Sequence, residues 1–232
     1  MNDATTDQKR PVLEIPVFRH IRRFFTGYVP SVIFDVGANV GQSCLSYAEA
    51  FPTTRIHAFE PVPETFETLA QKVADIESIT PWNIALSSSD GIATMRRAKA
   101  SVGDRIVKGS AAPDGEAVEV KTMTGTAFCQ EHGIDRISFL KIDTEGHDLD
   151  VMKGFRSMLD RVAFVQVEAA MNRYNKSHVQ FGVFMEFMEA RNFHLMHLYE
   201  QRLEFKLGGR PILRRADPVF INGALVDVTG LK

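Results

Sequence analysis

Cysteine is scarce: Cys44 and Cys129 are the only two in 232 residues. Two thiols can build neither a disulfide framework nor a zinc site, and their rarity points to a reducing compartment. Basic charge is not in excess either. Lys plus Arg number 27 against 29 for Asp plus Glu, a formal net charge of −2. That balance argues against nucleic acid as the main partner, because phosphate-backbone contact normally leaves a basic surplus. No apolar run approaches the roughly 20 residues needed to cross a bilayer, so no transmembrane segment is expected. The opening MNDATTDQKR lacks the apolar core of a signal peptide and reads as a disordered leader. These absences place the protein in the cytoplasm. There is no internal repeat and no low-complexity linker. What is present is ordinary globular composition, 44% hydrophobic and 24% charged, in a chain long enough to bury a sizeable core.

The organisation expected is a leader with an N-terminal helix over residues 1–30, then one α/β domain over 31–232 with an insertion at about 91–120. From Pro16 to Tyr28, Phe18, Ile21, Phe25 and Tyr28 fall at helical spacing, with His20, Arg22 and Arg23 off that stripe. Strand and helix then alternate: Val32–Val36, helix Gly41–Ala50, strand Arg55–Phe59, helix Pro63–Ala74, strand Ile79–Leu86. The Gly-rich, charged stretch Gly91–Val120 reads as a hairpin or mobile insertion over one end of the sheet. Alternation resumes with strand Ile137–Ile142, helix Leu149–Leu159, strand Val162–Val167 and helix Phe181–Ala190, whose Phe181, Phe184, Met185 and Met188 form a core stripe. Final strands are expected at His194–Tyr199 and Val219–Leu225, separated by a charged loop through Arg210–Asp217. This pattern predicts a largely parallel, Rossmann-like sheet with helices on both faces and a ligand beyond the carboxyl ends of its strands.

Such a ligand has its first candidate loop in DVGANVGQSC, Asp35 to Cys44, directly after an apolar strand. A dinucleotide loop needs glycine where the backbone comes closest to the pyrophosphate, and Asn39 stands there instead. The G-x-x-x-x-G-K-[ST] of a phosphate-gripping loop is absent too. An S-adenosylmethionine reading suits the loop better, since that ligand has no phosphates. Asp35 and Asn39 can meet its amino-acid end, the helix opening near Gly41–Ser43 offers free N–H groups to a carboxylate, and Glu60, closing HAFEP before Pro61, can take both ribose hydroxyls.

KIDTEGHD, Lys141 to Asp148, closes a later strand and sends Asp143 and Glu145 toward the same crevice. Acidic groups gathered there call for a cation. A sulfonium is one; carboxylate clusters also suit a divalent metal, so Mg²⁺ stays open. His147 beside them could serve as a base near neutral pH, Asp148 could cap the helix that follows, and Glu168 at the end of FVQVEAA reaches the same edge as a candidate for orienting substrate.

Taken in order, DVGANVG, FEPVPETFETL, NIALS and FLKIDTEGHDLDVMKGF resemble the FkbM-type family of S-adenosylmethionine-dependent methyltransferases. The resemblance implies the class I methyltransferase fold, a mostly parallel seven-stranded sheet with its last strand antiparallel. It also implies O-methylation of a hydroxyl on a small molecule or a sugar, of a secondary metabolite or polysaccharide. Carried over by residue, it implies that Asp35, Gly37, Ala38, Asn39, Gly41, Gln42 and Ser43 form the cofactor loop. Glu60 with Pro61 would then hold the ribose, Asn83 the adenine side, and Asp143 and Glu145 the place beside the transferred methyl. His147-Asp148 departs from the family pattern after the EG, which leaves the base open among Asp143, Glu145 and His147. The rival readings are a cofactor-binding module without catalysis and an NAD-dependent oxidoreductase.

Overall fold

A computed structural model of the protein describes residues 15–96, 105–107, 117–204 and 210–228. The expected leader lies outside the described residues, as does much of the 91–120 stretch. Helix α1, Pro16–Phe24, starts with proline in its first turn and buries Val17, Phe18 and Ile21. It stops a turn short of Tyr28, yet Phe25 and Tyr28 still pack on the same cluster, and the Tyr28 hydroxyl donates to the Ser138 carbonyl.

Strand β1, Val32–Val36, is buried at every position, as a central parallel strand must be when helices cover both faces. Its odd and even residues feed two separate cores. Val32, Phe34 and Val36 join Leu140, Ile142, Met152 and Phe155 on one side, while Ile33 joins Phe18, Ile56, Phe139 and Phe164 on the other. Helix α2 (Gln42–Ala50), strand β2 (Arg55–Phe59), helix α3 (Pro63–Val73) and strand β3 (Ile79–Trp82) follow. Further along come β4 (Ala85–Ser87), β5 (Gly91–Arg96), β6 (Arg105–Val107), β7 (Ala117–Thr124), α4 (Gly125–Glu131), β8 (Ile137–Ile142) and α5 (Asp148–Phe155). A 3-10 turn at Arg156–Arg161 leads to β9 (Val162–Gln166), β10 (Ala169–Ala170), α6 (Phe181–Glu189), β11 (Phe193–Glu204) and β12 (Arg210–Asn222).

The main sheet runs β3-β2-β1-β8-β9-β12, with β11 and the short β10 also paired to β12. Its first five strands are mutually parallel, and β12 is antiparallel to β9. The antiparallel last strand is as expected; β10 adds an eighth strand to the seven. Because β1 lies between β2 and β8, the strand order reverses there, and the crevice beyond those carboxyl ends is where a ligand can enter. Among the described residues no helix is long and apolar enough to cross a membrane.

Several expected elements are corrected. The strand expected at Ile79–Leu86 breaks after Trp82, because the Asn83 amide donates to the carbonyls of Glu60 and Pro61 and turns the chain. Ala85–Ser87 then pairs with β7 in a separate four-stranded sheet, β4-β7-β5-β6. Within the 91–120 stretch β5 and β6 pair antiparallel, in keeping with the expected hairpin, and AVEVKTMT buries Val120, Thr122 and Thr124 in alternation. Thr124, accepting from the Ala127 amide, caps the unexpected helix α4. The helix expected at Leu149–Leu159 ends at Phe155, where Arg156 takes φ 43°. The charged loop expected through Arg210–Asp217 is strand, paired along most of its length with a largely exposed β11 that tolerates charge.

Candidate functional site

Two cavities open on the carboxyl side of the sheet and share a wall of Ser43, Lys141 and Asp143. The first, about 320 Å³, is lined on one side by Gly37, Ala38, Asn39, Gln42 and Ser43, and on another by Asp143, Thr144, Glu145 and His147. Glu60 and Pro61 close its end, and Phe59, Ile84, Leu86 and Met95 make it apolar there.

The loop after β1 is held by conformation. Gly37 has φ 81°, and a Cβ there would overlap the Asp143 carbonyl oxygen, so glycine is what lets the ends of β1 and β8 approach. Asn39 takes φ 51°; its amide donates to Glu60 Oε2 at 3.0 Å, while its own Oδ1 accepts from Val40 N. The second Glu60 oxygen accepts from Val62 N at 2.9 Å. Two backbone amides therefore help to fix this buried carboxylate. Gly41, at φ 96°, is turned toward Leu69 of α3 and not toward the cavity.

Asp35 also differs from its expected role. It is fully buried behind the wall, accepting from Lys141 Nζ at 3.1 Å across the β1–β8 register. Its Oδ2 has no hydrogen-bond partner among the described residues. Lys141 also reaches Asp143 Oδ2 at 3.3 Å. Burial works against the ammonium charge, but Asp35 and Asp143 outweigh it and raise the pKa of Lys141. Asp143 stays about half exposed and faces both cavities.

His147 lines the first cavity, but its ring is occupied. Nε2 lies 2.9 Å from Ser87 Oγ and Nδ1 3.6 Å from Asp150, so the histidine ties α5 to β4 and has no nitrogen open to a substrate. Asp148, at the start of α5, accepts from Thr144 Oγ1 and the amides of Gly146 and Glu168. Burial, with the Asp143 charge adding to it, pushes its carboxyl up to about 7. The folded state thus prefers this carboxyl protonated. Its contribution to stability is complete below the ordinary carboxyl range and is lost as pH rises through about 7. Urea unfolding between pH 4 and 7 should show Asp148→Asn losing that slope, a relative change on the order of 3 kcal/mol. Parallel wild-type and variant curves would dismiss the assignment.

The second cavity, about 340 Å³, lies between α1 and the β9 and β12 strand ends, with Gln166, Glu168, Tyr199, Glu200, Arg215 and Asp217 among its lining. Glu168 is buried and ion-paired to Arg215 and His178. His178 also meets Glu145 at 3.4 Å, and Glu145 itself sits at φ 52°. Glu145, Glu168 and His178 are close enough to hold a metal ion. They do not suit Mg²⁺, which prefers oxygen ligands throughout, and the Arg215 guanidinium already sits on Glu168. Burial, followed by the Asp143 charge, pushes Asp217 up to about 6, while Gln166 donates to its Oδ2 at 3.2 Å.

The structure thus brings Gly37, Ala38, Asn39, Gln42, Ser43, Glu60, Pro61, Asp143, Glu145 and His147 to one cavity and places Glu168 in its neighbour. Asp35, Gly41 and Asn83 support the walls from behind: Asp35 is spent on Lys141, Gly41 on packing, and Asn83 on the Glu60 and Pro61 carbonyls. Ile84, Leu86, Met95 and Asp217 line the cavities without having been anticipated.

The cavity's chemistry tests its occupant. Among the described residues its one cationic side chain, Lys141, is committed to two carboxylates, so no uncommitted side-chain cation is there to meet a pyrophosphate. Residues 35–195 match the profile of the methyltransferase FkbM domain. The chain belongs to that family. Within it, this FkbM-domain protein is 31% identical over 140 residues to the hexuronic acid methyltransferase AglP of Haloferax volcanii, an alignment of 59% of this chain with 55% of that protein. It is 22% identical over 175 residues to the 2-O-methyltransferase NoeI of Sinorhizobium fredii, covering 69% of this chain and 71% of that one. The chain therefore spans little more than half the length of the archaeal relative. Among solved structures, TehB from Haemophilus influenzae superposes with a TM-score of 0.50 at 8% identity, over 88% of this chain and 60% of that one, a likeness of fold. The architecture is that of the class I Rossmann-like methyltransferases.

Proposed function

We propose that this FkbM-domain protein is an S-adenosylmethionine-dependent O-methyltransferase acting on a hydroxyl of a small molecule, most simply a sugar. The observation that carries this is Glu60: a buried carboxylate that two backbone amides orient at the end of an apolar slot, the group a ribose diol calls for. Ile84, partly exposed and packed against the core that holds Phe59 and Leu86, offers apolar surface for an adenine, and the first turn of α2 offers its amides to a carboxylate. Glu60, Asp143 and Glu145 give the first cavity an acidic lining that suits a sulfonium.

When bound, S-adenosylmethionine supplies a methyl carbon open to in-line displacement, with a neutral thioether as leaving group. The chain's own part is alignment and proton removal. We assign removal of the hydroxyl proton to Asp143, a role supported by its facing both cavities and by Lys141, which donates to its carboxylate. The carboxylates of the second cavity repel a phosphate backbone, which supports a small acceptor over nucleic acid. The names of AglP and NoeI support a sugar hydroxyl.

Two measurements test the reading. Calorimetry should detect S-adenosylhomocysteine binding to the intact protein; silence at millimolar ligand ends it. Labelled methyl should then pass from the cofactor to one of a panel of methyl glycosides, and label appearing only on carboxyl or nitrogen positions would overturn the O-methyl assignment.

A further inference from the structure

His178 lines neither cavity, yet it stands between one carboxylate from each. Its Nε2 faces Glu168 Oε2 at 2.5 Å and Glu145 Oε2 at 3.4 Å, and both the imidazole and the Glu168 side chain are almost wholly buried. Arg215 holds Glu168 by its other oxygen. Asn175 holds the ring by its other nitrogen, with Nδ2 and Oδ1 at 3.0 and 3.2 Å from Nδ1. The Asn175 oxygen already accepts from the Ser177 amide at 3.0 Å, so its nitrogen is left as the donor to Nδ1. The ring proton then falls on Nε2, toward the carboxylates.

The backbone sets Glu145 against this ring. Gly146, next to Glu145, takes φ 103°, and a Cβ there would overlap the Ser177 carbonyl oxygen. The loop after β8 therefore rests directly on the segment that carries His178. That segment is tied to the sheet in turn, by the Asn175 amide to the Arg214 carbonyl and by the Ala170 amide to the Val179 carbonyl.

Three carboxylates line the first cavity, and two are already placed. Glu60 is oriented by two amides at the ribose end, and Asp143 is bound to Lys141 and shared with the second cavity. Glu145 lines the first cavity alone and is a quarter exposed, and among the described residues its one ion-pair partner is His178.

We infer that His178 is a positioning residue, holding the Glu145 carboxylate toward the first cavity to pair with the α-amino group of the cofactor's methionine end. The inference rests on the methyl-transfer reading above and adds to it the residue that receives the amine. The α2 amides serve the carboxylate of that end, and the ammonium beside it calls for a carboxylate in the protein. Glu145 supplies one whose direction His178 fixes, and no lysine or arginine among the described residues competes for it.

The test compares S-adenosylhomocysteine with its desamino analogue, which keeps the carboxylate and lacks the amine, by calorimetry on the full chain at pH 7. The ratio of the two dissociation constants isolates the amine contact, because a change that loosens the fold weakens both ligands together. On the wild type the analogue should bind at least roughly tenfold more weakly. Glu145→Gln and His178→Phe should each bring the ratio to within about threefold of unity. His178→Gln, which returns an N–H donor, should recover most of the wild-type ratio. Equal affinities on the wild type would overturn the inference, as would a wild-type ratio surviving in Glu145→Gln or His178→Phe, or His178→Gln behaving as His178→Phe does. If neither His178 variant binds either ligand, the histidine holds the fold and not the carboxylate, and the inference falls. Failure of S-adenosylhomocysteine to bind the wild type would instead bring down the methyl-transfer reading beneath it.

Discussion

Lys141→Met should destabilise the protein by about 3–5 kcal/mol, the range for removing one partner of a buried ion pair. In a chain of this size that lowers the melting temperature by roughly 6–20 °C. The reason lies with Asp35. Its side chain is fully buried, one oxygen relies on the Lys141 ammonium at 3.1 Å, and the other has no hydrogen-bond partner among the described residues. Without the lysine, a carboxylate is left inside the sheet with nothing to offset its desolvation. Asp143 suffers less, being about half exposed and able to turn to water. Replacing both members, as Asp35→Leu/Lys141→Met, should recover most of the loss, since an apolar pair of similar volume is often as stable as the ion pair it replaces. Urea denaturation of the two variants and the wild type measures the coupling directly. A single-variant loss below about 1 kcal/mol would mean that charge does not hold this wall.

Asp143→Asn carries the largest expected effect on turnover. An amide keeps the shape of the carboxylate but cannot take a proton, so methyl transfer should slow by roughly 10²–10⁴-fold, the usual worth of a positioned base. Affinity for S-adenosylhomocysteine should stay within about tenfold, because Glu60 and the Gly37–Ser43 loop remain intact. A variant with normal turnover would move the proton to another group, and Asp217 faces the same cavity. His147 does not inherit the role, as Ser87 and Asp150 already occupy its ring.

Much of the first cavity was legible in the sequence because its residues sit in short, continuous stretches at strand ends. DVGANVGQS and KIDTEGH each leave a predictable strand, and the parallel topology brings their tips together without further information. The errors have a different origin. His147 looked available because its partner Ser87 is 60 positions away, on a strand that leaves the main sheet for another. Asp35 looked like a ligand contact because a strand-end aspartate and an in-register lysine cannot be paired by eye until β1 and β8 are known neighbours. Asp217 was hidden for a third reason: RRAD within a charged run reads as a loop, whereas the run is strand and turns Arg215 and Asp217 into the second cavity. His178, lying between Glu145 and Glu168, has no local motif at all.

Because Ser43, Lys141 and Asp143 belong to both cavities, any shift of that shared wall would couple the cofactor and acceptor proposed above. Whatever free energy the resident of one chamber gains or loses through that partition is returned in equal measure to the resident of the other. Dissociation constants measured for either molecule alone therefore describe a half-filled protein, and the ternary assembly will differ from them by one common factor.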